Sequence, residues 1–216
     1  MTDIIAVIGG TGQLGSAIAW RLARAGRKVI IGSRSAEAAS AKAAELGCGL
    51  VGMANGDAAA AATIIIVTVP FAAQAPTLAE IRPYVSGKIV VDTTVPLMPP
   101  KVMRVQLPPE GSASARALAM LGGDVRMVAA FHNVAAHKLA QDVAVDCDIL
   151  VFGDDKDARS SVVELVDVMG LRGIHAGALV NSAAAEAMTS LLIFINKNYR
   201  VDGAGIRVTG DLQLYA

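Results

Sequence analysis

The sequence predicts an α/β protein: a doubly wound, mostly parallel sheet with a small helical C-terminal portion. Short apolar runs alternate with longer alanine-rich stretches, the pattern of strands covered on both faces by helices. Glycines at 10, 12 and 15 follow one such run directly and open a helix-forming stretch, as in a strand–turn–helix unit. The 216 residues, 54% of them hydrophobic, suffice for one sizeable core with a small appendage.

The elements follow in order. "IIAVIG" (Ile4 to Gly9) reads as a strand, Gln13 to Ala25 as a helix stopped at Gly26, and "KVIIG" as a second strand. "SAEAASAKAAELG" is a run of strong helix formers closing at Gly47, so the chain begins as βαβαβ. "TIIIVTV", ended by Pro70, is the next strand, and "KIVVDTTVP" the one after, with a helix between them that ends near Pro83. Pro96 to Ser112 carries five prolines and reads as an ordered loop before a helix through "ASARALAMLGG". "VRMVAAFHNV" and "CDILVFGDD" are further strands, "KDARSSVVELVDVMG" an amphipathic helix, and "LRGIHAG" a last short strand. "NSAAAEAMTSLLIFINKNY" is a long apolar helix, too bulky on several sides to lie on one sheet face, and is expected to cap a cleft or meet a second subunit. The expected division is residues 1–178 and 179–216.

Nineteen basic against nineteen acidic residues leave no overall field toward nucleic acid or an anionic membrane, and 4% aromatics leave little to stack on bases. Cys48 and Cys147 have no metal or redox spacing and fit a reducing compartment. The opening residues lack the basic and apolar regions of a signal peptide, and no apolar run reaches about 18 residues. A cytoplasmic protein with neither a nucleic-acid nor a membrane partner is therefore expected. No metal-ligand spacing, nucleophile elbow or carboxylate cluster is visible.

Gly10, Gly12 and Gly15 give G-x-G-x-x-G in its proper setting, so the fold class narrows to a Rossmann-type domain. The first glycine permits the tight turn, the second lets the backbone approach a pyrophosphate, and the third lets helix and strand pack closely. The free amides at the helix start, Gln13 and Leu14, meet phosphate charge. Gly9, Gly12 and Gly15 equally satisfy the G-x-x-G-x-x-G of short-chain reductases. Their Tyr-x-x-x-Lys pair has a counterpart in Tyr84 and Lys88, but that stretch follows Pro83, holds Gly87 and runs into a strand, so we assign it to chance.

The end of the second strand decides the dinucleotide. A carboxylate there would bind both ribose hydroxyls of NAD, whereas this chain has Ser33 and Arg34. Arg34 can stack on adenine and pair with phosphate, and Ser33 and Thr11 can each donate a hydrogen bond. NADP is the predicted cofactor.

"IGGTGQLGSAIAWRLARAGRKVIIGSR" resembles the NADPH-dependent coenzyme F420 reductases, and "VTVPF", "VPL", "AAFHNVAAHKLA", "VFGDD", "GLRGIHAGALVNS" and "EAMTSLL" fall in that family's order. The resemblance spans nearly the whole chain. It implies a Rossmann domain, a homodimer, and hydride exchange between NADP and a 5-deazaflavin, coenzyme F420. It also implies that Thr11, Ser33 and Arg34 hold the 2′-phosphate, and that Val69, Pro70 and Phe71 line the adenosine-to-nicotinamide track. Val95 falls in the "VPL" stretch beside it, and His132, Asn133, Val134 and Ala135 meet the deazaflavin. Three positions depart from the family: Ala38 where a lysine is frequent, Asn133-Val134-Ala135 for Thr-Ile-Pro, and Ala183 for an arginine.

Hydride transfer between two stacked rings asks for little acid–base chemistry, which suits a sequence poor in catalytic constellations. By itself His132 reads as a strand-end histidine bonded to backbone; the resemblance implies that it meets the pyrimidine edge of the deazaflavin, where negative charge develops on reduction. Asp154 and Asp155 read as a turn and helix cap, and Lys138, Lys197 and Arg200 as cations for an acidic tail or for solvent. Two alternatives stay open: NADPH-dependent reduction of another acceptor (a flavin, pterin or imine), and a non-catalytic NADP-binding redox sensor.

Overall fold

The computed structural model describes residues 3–213. Eight strands form one sheet in the order β3-β2-β1-β4-β5-β6-β7-β8. They are β1 (Ile4–Ile8), β2 (Lys28–Ser33), β3 (Val51–Ala54), β4 (Ile64–Val67), β5 (Ile89–Asp92), β6 (Arg126–Ala129), β7 (Asp148–Gly153) and β8 (Arg172–His175). The helices are α1 (Gln13–Arg24), α2 (Ala36–Leu46), α3 (Asn55–Ala61), α4 (Phe71–Ile81), α5 (Ala113–Leu121), α6 (Ala136–Leu139), α7 (Lys156–Val168) and α8 (Ser182–Tyr199).

The strands alternate side chains between two cores, as the pleat requires. Ile5, Val7, Ile66, Val91 and Ile149 pack with Ile18 and Leu22 of α1 and Val162 and Val166 of α7. Ala6, Ile8, Ile65, Val67 and Val90 pack on the other face with Leu78 and Ile81 of α4 and Ala117 of α5. With both faces buried, the strands read as continuous apolar runs and not as alternation.

Two features depart from the expected course. Val51–Ala54 forms an edge strand that the sequence reading passed over: it is short, and none of its residues is buried. After β6 the sheet reverses. β7 pairs antiparallel with β6, Val128 opposite Gly153, and β8 then runs parallel to β7. Strand β6 is also shorter than "VRMVAAFHNV", because the chain turns out of the sheet at Phe131, whose φ is 69°. Tyr84 ends a 3-10 turn and Lys88 precedes β5, so the two share no helix.

The first six strands are parallel, and their order reverses between β1 and β4. That switch point leaves a crevice at the carboxyl ends of the strands, where doubly wound folds bind ligands. Two glycines shape it. Gly9 takes φ 75° to leave β1, and a Cβ at Gly15 would lie 2.4 Å from Thr68 Oγ1, so α1 meets β4 only because no side chain intervenes.

Helix α8 buries Ser182, Ala185, Glu186, Ser190 and Leu192, and exposes Leu191, Phe194, Ile195 and Tyr199. Leu179–Tyr199 is long and apolar enough to cross a membrane by length and composition, with a mean hydropathy of 1.3 over an 18-residue window, although Glu186 and Lys197 interrupt its apolar run. Its polar buried face instead rests on α5 and on the loop before it. The following chain returns to the sheet, where Ile206 O accepts from Asp148 N–H at 2.8 Å and Val208 N–H donates to Asp148 Oδ2 at 2.6 Å.

Candidate functional site

A cleft of about 400 Å³ opens at the β1/β4 switch point. Thr11 and Gly12 enter it from the glycine turn, Ser33 and Arg34 from the end of β2, and Val69 and Pro70 from the end of β4. Helix α1 begins without a capping side chain, and the Gly12 amide is taken by Gly9 O at 3.0 Å. The amides of Gln13 and Leu14 therefore have no intrahelical acceptor and lie at the positive end of the helix dipole. Gly10 is buried beneath the turn, where a Cβ would come within 2.6 Å of Val7 O. Arg34 is exposed and forms no ion pair among the described residues, while Ser33 Oγ accepts from Ser35 N–H at 3.4 Å. An unpaired guanidinium and two hydroxyls thus face one cleft with the amide end of α1 beside it, donors of the kind that anions accept.

The remaining expected residues lie along the same sheet edge or beyond it. Phe71 opens α4 with the Arg116 guanidinium 4.9 Å from its ring centre, and Val95 follows β5, half-buried. His132 follows β6 and is buried, with neither ring nitrogen hydrogen-bonded. Burial pushes its pKa down to about 4, so the ring is neutral. Val134 stands apart from the cleft, in a smaller pocket with Cys147 and Gly205. Lys138 and His137 both pair with Asp202, which removes Lys138 as a free cation. Asp155 caps α7 through Ala158 N–H at 2.7 Å, and Asp154 accepts from Leu179 N–H at 3.1 Å.

A buried polar network lies on the same edge; the sequence places Glu186 and Thr189 three apart on one face of the last helix, toward the cleft or a dimer partner, but does not show their partners Asp92, Gln74 and Ser114. Asp92, at the end of β5, accepts from Gln74 Nε2 at 3.0 Å, Thr94 Oγ1 at 2.7 Å and Ser114 Oγ at 3.2 Å. Glu186 of α8 accepts from the amides of Ala113 at 2.6 Å and Ser114 at 3.1 Å, at the start of α5. Burial pushes the Asp92 carboxyl up to about 6 and, with Asp92 beside it, the Glu186 carboxyl up to about 7. One helical turn on, Thr189 Oγ1 donates to His132 O at 2.7 Å, so the network and the histidine hang on one helix. A lone glutamate in an apolar helix was the visible signal. Among the described residues, no group of three or more His, Cys, Asp or Glu side chains is placed to hold a metal ion.

The family model described as "NADP oxidoreductase coenzyme F420-dependent" matches residues 4–96. The F420-dependent NADP reductase of Methanothermobacter thermautotrophicus is 43% identical over 218 residues, covering 95% of this chain and 94% of the relative. This chain belongs to the F420-dependent NADP reductase family. The family's reductase from Methanocaldococcus jannaschii is 38% identical over 95% of this chain and 97% of its own. Among solved structures, a protein from Arthrobacter sp. FB24 shares the fold with a TM-score of 0.84 at 23% identity, covering 96% of this chain and 99% of that one. Membership in the reductase family covers the α8 network as well as the cleft, because the matched relatives extend over both.

Proposed function

We propose that this chain is an NADP-dependent oxidoreductase passing a hydride between NADP(H) and coenzyme F420. The observation that carries the reading is the end of β2, where Arg34, Ser33 and Thr11 converge on the cleft with no carboxylate at the strand end. The bare glycine turn and the uncapped start of α1 fit a pyrophosphate, and the guanidinium with two hydroxyls fits the 2′-phosphate. The buried His132 ring, unpartnered at both nitrogens, fits a ligand that offers a donor and an acceptor.

In this reading Thr11, Ser33 and Arg34 hold the 2′-phosphate, and the Gln13 and Leu14 amides face the pyrophosphate. Val69, Pro70 and Phe71 guide the dinucleotide along the edge, and Val95, His132 and Val134 belong to the deazaflavin side. The two bound coenzymes supply hydride donor and acceptor, so the protein's task is to hold two rings in contact and exclude water. A neutral His132 can donate toward the ring edge without itself changing charge. Residues 1–178 form the NADP-binding part and 179–216 the cap. The exposed flank of α8, with Phe194 at 49% and Tyr199 at 72% exposure, supports a homodimer, which sedimentation measures directly. A cytoplasmic location agrees with the diffusible coenzymes.

The test is to mix the protein with NADPH and either F420 or flavin mononucleotide and follow reduced nicotinamide at about 340 nm. Decay with F420 is the expected result. Decay with the flavin alone would transfer the reading to another acceptor, and binding without decay would make the chain a sensor.

A further inference from the structure

The outer half of the cleft holds polar groups that the phosphate site does not use. Beyond Arg34, the far wall is one face of α4, where Ala73, Pro76, Thr77 and Glu80 line the cleft at the i, i+3, i+4, i+7 spacing of a helical stripe. Opposite stands Asn55, the first residue of α3, only 2% exposed. Its Nδ2 donates to Glu80 Oε2 at 3.0 Å. Room for its carboxamide comes from β2, because a Cβ at Gly32 would sit 3.2 Å from Asn55 Oδ1. Asn55 is thus a buried amide wedged against a strand, and it fixes an exposed carboxylate at the cleft rim. Glu80 forms no ion pair among the described residues, so its charge is not spent on a cation.

An ionised carboxylate only accepts hydrogen bonds. With the 2′-phosphate at Arg34 and the pyrophosphate at the glycine turn, the dinucleotide part left for the outer cleft is the base. Both phosphates are acceptors that a carboxylate repels. The donor adenine carries is its exocyclic amine, and the small or flat side chains of Ala73 and Pro76 leave space for a planar ring. We infer that Glu80, positioned by Asn55, accepts from the adenine amine and makes this cleft selective for adenine among purine bases.

The inference rests on the reading of the cleft as an NADP site, and the probe separates the two. Nicotinamide hypoxanthine dinucleotide phosphate keeps every phosphate and replaces the amine with a carbonyl oxygen. Dissociation constants of both reduced dinucleotides, measured by fluorescence without F420, should favour NADPH by about tenfold or more in the wild type. In Glu80→Gln the side-chain amide can turn its donor toward the carbonyl, and the ratio should fall to within about twofold. Asn55→Ala frees the carboxylate and should give an intermediate ratio. Equal affinities in the wild type, or an unchanged ratio in Glu80→Gln, overturn the inference while leaving NADP binding in place. A protein that binds neither dinucleotide removes the NADP reading and this one with it.

Discussion

Replacing Glu186 by glutamine should change how stability depends on pH. Glu186 is 1% exposed, forms no ion pair among the described residues, and feels the Asp92 charge across the start of α5. Its carboxyl is pushed up to about 7 from an ordinary 4.5, first by burial and then by the Asp92 charge, against the opposing pull of the Ala113 and Ser114 amides. A raised carboxyl means that the folded chain holds a proton the unfolded chain has lost. The stabilisation is full below the ordinary value and disappears as pH climbs through about 7. The interval between the two values corresponds to about 3 kcal/mol. Glutamine resembles the protonated acid at all pH values, so the variant should lack this decline. Urea unfolding of both proteins at several pH values from about 5 to 8 should show the variant gaining about 2 to 3 kcal/mol relative to the wild type across the series. His132 titrates in both proteins and cancels in the difference, and Asp92, raised mainly by its own burial, cancels apart from its coupling to Glu186. Parallel stability curves would refute the argument, since Glu186 would then be ionised when folded.

Arg34→Asp should move the ratio of NADP to NAD affinities toward NAD by about tenfold or more, read from dissociation constants for the two. An unchanged ratio would exclude Arg34 from the phosphate site. Gly15→Ala puts a methyl 2.4 Å from Thr68 Oγ1 and 2.8 Å from Gly10 Cα, so we expect a loss of about 2 kcal/mol or more in unfolding experiments, with weakened NADPH binding. His132→Ala should raise the KM for F420 about tenfold or more and leave NADPH affinity within about twofold. Because the His132 ring is held near 4, replacing it by Asn should leave the pH dependence of F420 reduction between about pH 6 and 8 unchanged in shape.

What could be read from the residues, and what could not, follows from locality. The glycine turn and Arg34 were legible because strand, turn and helix are contiguous, and a charge at the end of β2 has one place to go. Asn55 was hidden because Val51–Ala54 is a four-residue, partly exposed edge strand that gives neither an apolar run nor alternation. Glu80 was lost with it, since the pair meets only across the cleft. The reversal at β7 leaves no trace in "DILVFG", because side-chain pattern carries no direction. The signal lay between β6 and β7, where a connection containing only the four-residue α6 offers no full crossover helix. The buried carboxylates were long-range as well: Asp92 and Glu186 are brought together by α5, whose first residues bond to both.

Helix α8 ties the buried carboxylates to the histidine. Its first turns are held at the start of α5, through Ser182 to Ser112 Oγ at 3.1 Å and through Glu186, and Thr189 then reaches the carbonyl of His132. After Leu192 it has no fully buried residue, and its last turns are held by the returning chain, where Ala204 N–H donates to Asn196 Oδ1 at 2.7 Å and Asp202 pairs with Lys138 and His137. A helix is stiff over such a distance, so Glu186, Thr189 and the exposed flank at Phe194 are carried as one rod. The outer flank of the helix and the main chain of the buried histidine therefore share a single support, with the Thr189 hydroxyl as the fastening between them.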